Sequence, residues 1–197
     1  MELLLLGSGI VLSLLASANY IIQTLLGKVT PNRVSWLMWT FAAGVGVWVT
    51  LRAGGDLFVV ARLSLAAVMP FLVFLASFWG RSGYWKLSVF DLGCGALSLV
   101  SGVCWVLFAD APLSITFAGL ADFFACLPTV VKAWRAPQTE SALSFIIFAL
   151  STAVVLPLVT VWDVVHVGFV LYLTSVNALI AVVLLLSSWR SFLKKAI

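Results

Sequence analysis

Charge is what this sequence has least of. Seven acidic and eleven basic residues make up 9% of 197 positions, against 63% hydrophobic residues and a mean hydropathy of +1.20. A water-soluble domain of this size needs a charged surface over its core, and so few charges cannot supply one. The chain therefore reads as an all-α integral membrane protein with lipid as its solvent. Histidine and cysteine are scarce too. With one histidine and three scattered cysteines, neither a metal centre nor a resident cofactor is implied. Cys94, Cys104 and Cys126 all lie in apolar runs and read as small packing residues rather than a disulfide framework. The same scarcity argues against an enzyme. His166 falls at an outer helix edge, no lysine sits in mid-membrane to hold a retinal, and Asp122 lacks an obvious facing acid, leaving only Asp91 near the inner start of the fourth span to consider.

Long hydrophobic runs are abundant. Seven stretches, near 2 to 26, 34 to 51, 57 to 80, 87 to 108, 113 to 134, 141 to 162 and 164 to 188, can each cross a hydrocarbon core that takes about 20 helical residues. The breaks GKVTPNR, RAGGD, RSGYWK, ADAP and RAPQTE carry the Gly, Pro or charge that ends a helix. The break around Trp162 and Asp163 is the faintest. Basic residues set the orientation. With the N-terminus outside, Lys28, Arg33, Arg81, Lys86, Lys132, Arg135, Arg190, Lys194 and Lys195 are cytoplasmic, while Arg52 and Arg62 are outside with Glu2, Asp56, Asp110 and Asp163. The net charge of +4 thus reports topology and attraction to an anionic inner leaflet, with no case for nucleic acid. Glu2 and the lack of Lys or Arg before the first apolar run argue against a cleaved signal peptide.

Part of the chain occurs twice. Ala16 to Trp39 and Asp122 to Phe145 share an apolar helix end, a basic stretch, a proline, a serine and a new apolar helix. Pro31 and Pro137 are 106 residues apart, as are Ser35 and Ser141. That displacement maps spans 1, 2 and 3 onto 5, 6 and 7 and leaves span 4 over. A three-helix unit reverses sides, so one extra crossing lets the second unit enter in the same sense as the first. The expected arrangement is 3+1+3: residues 1–86, a linker helix at 87–110, and residues 111–197.

The second copy, Pro128-Thr129 followed by Lys132, Arg135, Thr139 and Glu140, resembles the PQ-loop and SWEET pattern. There a Pro-Gln pair ends the first helix of each triplet, and a Ser/Thr-Glu element opens the next about eleven residues later. In the first copy Ile22-Gln23 occupies the motif position. The literal Pro137-Gln138 lies in the loop, off that position. The resemblance covers the whole chain in architecture but only the two loops in sequence, and both motifs are degenerate. It implies a divergent, bacterial member in the inner membrane, with a central pathway between two triplets, alternating access and proline hinges.

Candidate site residues follow from burial of polarity. Asp122, near mid-membrane, is the strongest, because an isolated acid there costs about 2.5 kcal/mol or more and must be offset by a proton, a cation, a polar solute or a structural hydrogen bond. Asn19 and Gln23 share a helix face with Ala16, equivalent to Asp122, Ala125 and Thr129. Thr174 adds polarity in the seventh span, where the resemblance also implies substrate contact for Asn177; interhelical glue is its other reading. Pro128, Pro70 and Pro157 lie inside spans and read as kinks, which the resemblance makes hinges, with Thr129 beside the first. Eight of the nine tryptophans, Trp36 among them, read as interfacial anchors at helix ends. Trp39, one turn into the second span, is the exception and a candidate substrate contact. The expected function is a facilitator or proton-coupled carrier of a small polar solute in the lipid bilayer. A sorting receptor or a lipid-handling protein of the same fold is the alternative, and oligomeric state is left open.

Overall fold

The computed structural model describes residues 2–52, 57–79, 86–107, 111–160, 162 and 167–196. Asp56, Arg81, Trp85, Asp110, Asp163 and His166, with the side chains of Arg52, Arg62 and Lys195, lie outside the described residues. Among those described, the fold is all-helical. The seven α-helices are α1 (Glu2–Leu25), α2 (Arg33–Arg52), α3 (Leu57–Trp79), α4 (Val89–Leu107), α5 (Ala111–Arg135), α6 (Ala142–Ala153) and α7 (Gly168–Ala196). Four segments, Glu2–Leu25, Val89–Leu107, Thr116–Arg135 and Gly168–Lys194, are long and apolar enough to cross a membrane. Ser64–Trp79 and Ala142–Leu158 are shorter apolar helical stretches.

The sixth span departs from expectation. Its α-helix stops at Ala153, turns at Val154 and Val155, and continues as a 3-10 turn at Leu156–Leu158. Pro157 sits within that turn and is exposed. It has no N–H to bond the carbonyl of Ala153, and its ring disfavours helical backbone at Leu156. Pro157 therefore lies beyond the end of α6 instead of kinking it. Pro70 and Pro128 do lie inside α3 and α5, both of which run through them.

Local chemistry sets the helix ends. Gly27, at φ 75°, closes α1: Lys28 N–H donates to the Gln23 carbonyl at 2.8 Å and Gly27 N–H to that of Thr24 at 3.0 Å. Glycine adopts this left-handed conformation without a Cβ penalty. Asn32 caps α2 by accepting from Val34 N–H at 3.0 Å, and Ser141 caps α6 by accepting from Ser144 N–H at 3.3 Å.

Packing follows a regular scheme. α3 packs on both α1 and α2, and α7 on both α5 and α6; α1 also meets α6, α2 meets α5, and α4 lies on α5 and α2. Tyr20, Trp36, Val73, Phe145, Ile180 and Leu184 form the buried core where these helices converge. α4 approaches α2 through glycines. A Cβ on Gly95 would stand 2.8 Å from Val34 Cγ1, and one on Gly102 3.0 Å from Phe41 Cε1. Both pairs are seven residues apart, so two knobs of α2 enter two gaps of a parallel α4. Gly95→Leu is expected to destabilise the chain by about 1–3 kcal/mol through overpacking, read as a lowered unfolding temperature in detergent. The same change at Gly93, whose Cβ meets nothing within 4 Å, should leave it in place.

Candidate functional site

Polar side chains inside this apolar bundle gather in two places. The first is the end where α1, α3, α5 and α7 finish and α2, α4 and α6 begin. Lys132, on the last turns of α5, is wholly buried and pairs with Glu140 Oε1 at 2.7 Å. Its ammonium also donates to the carbonyls of Thr30 and Thr139. Tyr20 donates to Glu140 Oε2 at 2.6 Å, so each oxygen of the carboxylate has a donor. Thr30 N–H donates to the Thr139 carbonyl at 3.0 Å, joining the two loops directly. Two buried charges in a low-dielectric interior are tolerable only with this degree of hydrogen bonding.

Beside this network, α1 and α6 exchange amides and hydroxyls. Asn19 Nδ2 donates to Ser144 Oγ at 2.8 Å, and Gln23 Nε2 to both Asn19 Oδ1 at 3.0 Å and Ser141 Oγ at 3.2 Å. Between α5 and α2, Thr129 Oγ1 donates to Ser35 Oγ at 2.9 Å. Asn32 Nδ2 reaches Asp91 Oδ1 at 2.8 Å, and Asp91 Oδ2 accepts from Ser88 N–H and Oγ–H at the start of α4. Asp91 is thus a helix-terminus acid with a full set of donors. Arg33 binds Ser77 Oγ and its carbonyl, both at 2.9 Å, and lies over Phe78.

The second place is Asp122, about two turns back along α5 from Thr129. It is buried, and its Oδ2 accepts from Tyr172 OH of α7 at 3.0 Å. The facing group absent from the sequence reading is therefore a phenol rather than a second acid. Also on α7, Thr174 Oγ1 lies 2.9 Å from Thr152 Oγ1 of α6 and 2.8 Å from the Val170 carbonyl, its single proton serving one of these two hydrogen bonds.

The expected site residues thus divide. Asn19, Gln23 and Thr129 join the first cluster, and Asp122 forms the second with Tyr172. Asn177 Nδ2 donates to the Leu173 carbonyl of its own helix at 2.8 Å, and among the described residues it bonds no other helix. The tryptophans need a correction. Trp48, Trp79, Trp134, Trp162 and Trp189 are exposed, but Trp36 is 3% exposed and packs on Tyr20 with ring centroids 4.6 Å apart. It belongs to the core. Trp39 meets Trp36 edge-on at 5.0 Å, and among the described residues its buried indole N–H meets no hydrogen-bond acceptor. Helix-end position misassigned Trp36 because it does not reveal that the rings of Tyr20 and Trp39 pack against it.

Sequence reading had credited Lys132 to topology and Glu140 to a loop motif. No spacing announces their pairing, because the pair is closed by Tyr20 and Thr30, more than 100 residues away in the chain. Among the described residues, no group of three or more histidine, cysteine or acidic side chains is placed to hold a metal ion. Neither a scan of protein-family models nor searches of curated proteins and of solved structures finds a match to this chain.

Proposed function

We propose that the chain is a membrane carrier of a small polar solute, built as two three-helix units, 1–86 and 111–197, joined by α4, with the SWEET-like plan its loop motifs resemble. The helix pairing supports this reading. A displacement of 106 residues carries the contacts of α3 with α1 and α2 onto those of α7 with α5 and α6, and it exchanges α1 on α6 with α5 on α2. The observation that carries the proposal is the crossed pair of hydrogen bonds, Gln23 on Ser141 and Thr129 on Ser35. Gln23 and Thr129 are 106 apart, and so are the two serines. Each motif position holds the first turn of the opposite unit's second helix, which is how two halves would close one end of a shared pathway.

In this proposal the N-terminus is outside, the clasped end is cytoplasmic, and the conformation is closed toward the cytoplasm. The solute site lies on the outer side of the clasp, with Asp122 and Tyr172 as its polar wall, Thr152 and Thr174 nearby, and Trp39 supplying an indole N–H that has no acceptor among the described residues. Pro128, between Asp122 and the clasp, is the hinge of α5, and Pro70 that of α3.

The test is thermal stabilisation of the purified chain over sugars, amino acids, vitamins and nucleosides, followed by uptake of each stabilising compound into proteoliposomes. Uptake above empty vesicles, lost on Thr129→Val combined with Gln23→Ala, is the expected result. Binding without flux would assign the fold to a receptor instead. No binding and no flux across the panel would remove the carrier reading.

A further inference from the structure

Three cations at the ends of α5 and α7 lie outside both polar centres and have no ion pair among the described residues. Arg135 ends α5, while Arg190 and Lys194 lie on the last turns of α7. With Trp134, Ser187 and Ser191 they line one cleft of about 250 Å³. No acid lines this cleft, and the carboxylate of Glu140 is already held by Lys132 and Tyr20. Its floor is rigid. Ser187 donates to the Trp134 carbonyl at 2.6 Å, tying α7 to α5, and Arg190 lies 5.3 Å from the Trp134 ring centroid. The residues 187, 190, 191 and 194 follow helical spacing along one face, so their side chains converge instead of fanning around α7.

A second cleft adjoins the first and shares Trp134 and Arg135 with it. It measures about 350 Å³ and is otherwise lined by Val130, Val131 and Val183. Val130 and Val131 lie about one turn before Arg135 on α5, and Val183 about two to three turns before Arg190 and Lys194 on α7. Anion-binding chemistry and an apolar channel therefore meet at one tryptophan and one arginine.

We propose that this composite cleft binds one anionic phospholipid, its phosphate between Arg135, Arg190 and Lys194 and an acyl chain along Val130, Val131 and Val183. A free phosphate would use the cationic half alone; the contiguous valine cleft favours the lipid. General attraction of a basic helix end to an anionic leaflet needs neither the shared cleft nor the convergence of the three cations. The site is independent of the solute pathway, because none of its residues joins the clasp or the Asp122 centre.

The test uses the full chain in nanodiscs of phosphatidylcholine doped with phosphatidylglycerol, with retained lipid counted by native mass spectrometry. Preferential retention of phosphatidylglycerol is expected. Arg135→Gln, Arg190→Gln and Lys194→Gln combined should weaken it on the order of 100-fold. Lys28→Gln with Lys86→Gln, which removes two exposed cations from the same end, should change it by no more than about twofold. Val183→Trp, filling the apolar half, should reduce lipid retention while sparing inorganic phosphate. Equal retention of the two lipids, equal loss in both charge variants, or displacement of phosphatidylglycerol by millimolar inorganic phosphate would overturn the proposal.

Discussion

Lys132→Met is expected to destabilise the chain by about 3–5 kcal/mol, the usual cost of leaving a buried charge without its partner. The substitution keeps the length of the side chain but strands the Glu140 carboxylate with Tyr20 alone, and it leaves the Thr30 and Thr139 carbonyls without the ammonium that joins them. The two loops then keep only the backbone bond from Thr30 N–H to the Thr139 carbonyl. Lys132→Met combined with Glu140→Gln removes both charges and should recover most of the loss, because desolvation then falls with the attraction. Tyr20→Phe deletes one donor to the same carboxylate and is expected to cost about 1–3 kcal/mol. Unfolding of the three variants in detergent, followed by tryptophan fluorescence, checks the series. A Lys132→Met protein within about 1 kcal/mol of wild type would mean that the pair is solvated, contrary to its burial. If that variant does not fold, the Tyr20→Phe value and the rescue by the double substitution still decide the point.

Asp122→Asn carries the largest expected effect on activity. The amide is nearly isosteric and can still meet Tyr172, so the helix packing should survive, with unfolding changed by no more than about 1 kcal/mol. What it removes is the ionisable group. On the proton-coupled carrier reading, uptake by the variant loses its dependence on pH, and apparent solute affinity falls by about ten- to hundredfold where the carboxylate bonds the solute directly. Asp122→Asn with unaltered uptake and pH profile, but a markedly lower unfolding temperature, would make the acid a structural tie between α5 and α7. Tyr172→Phe separates the two further. It keeps the carboxylate and deletes the bond, so pH dependence should persist with a shifted midpoint.

Much of the helix layout was legible in the sequence because long apolar runs obey simple rules. Runs of about 20 apolar residues are helices, since every backbone polar group must be satisfied within its own segment. Glycine and proline at the ends mark where they stop. The expected boundaries of α1, α2, α3, α4 and α5 fall within a few residues of those observed. α6 is one exception, and α7 is the other: it begins at Gly168 and runs to Ala196, eight residues past its expected limit at 188. Hydropathy alone carried the sixth span through Pro157, whereas the missing N–H and the steric demand of its ring keep that segment from continuing as one α-helix.

The candidate site was half legible. Asn19, Gln23 and Thr129 were placed on one face of their helices by spacing, and they do bond across α1–α6 and α5–α2. Asn177 was not resolvable from spacing, since a buried amide can be satisfied either by a neighbouring helix or by the carbonyl four residues back. Here it takes the latter. Trp36 shows the same limit. Its place near the start of α2 matches an interfacial anchor and a core residue equally well, and only the neighbours Tyr20 and Trp39 decide between them.

By itself the sequence determined the solvent the chain suits, the number and approximate limits of its helices, the 106-residue internal correspondence and the accumulation of basic residues at alternate helix ends. These are properties of composition and spacing, which act along the chain and need no partner. The tertiary structure decided which polar groups meet: Lys132 with Glu140 and Tyr20, Asp122 with Tyr172, Gln23 with Ser141, Thr129 with Ser35. Such pairings join residues up to 120 positions apart, and each arises because a buried polar group must find a donor or acceptor among whatever the packing brings near. Local sequence states that the need exists, and only the fold supplies the partner.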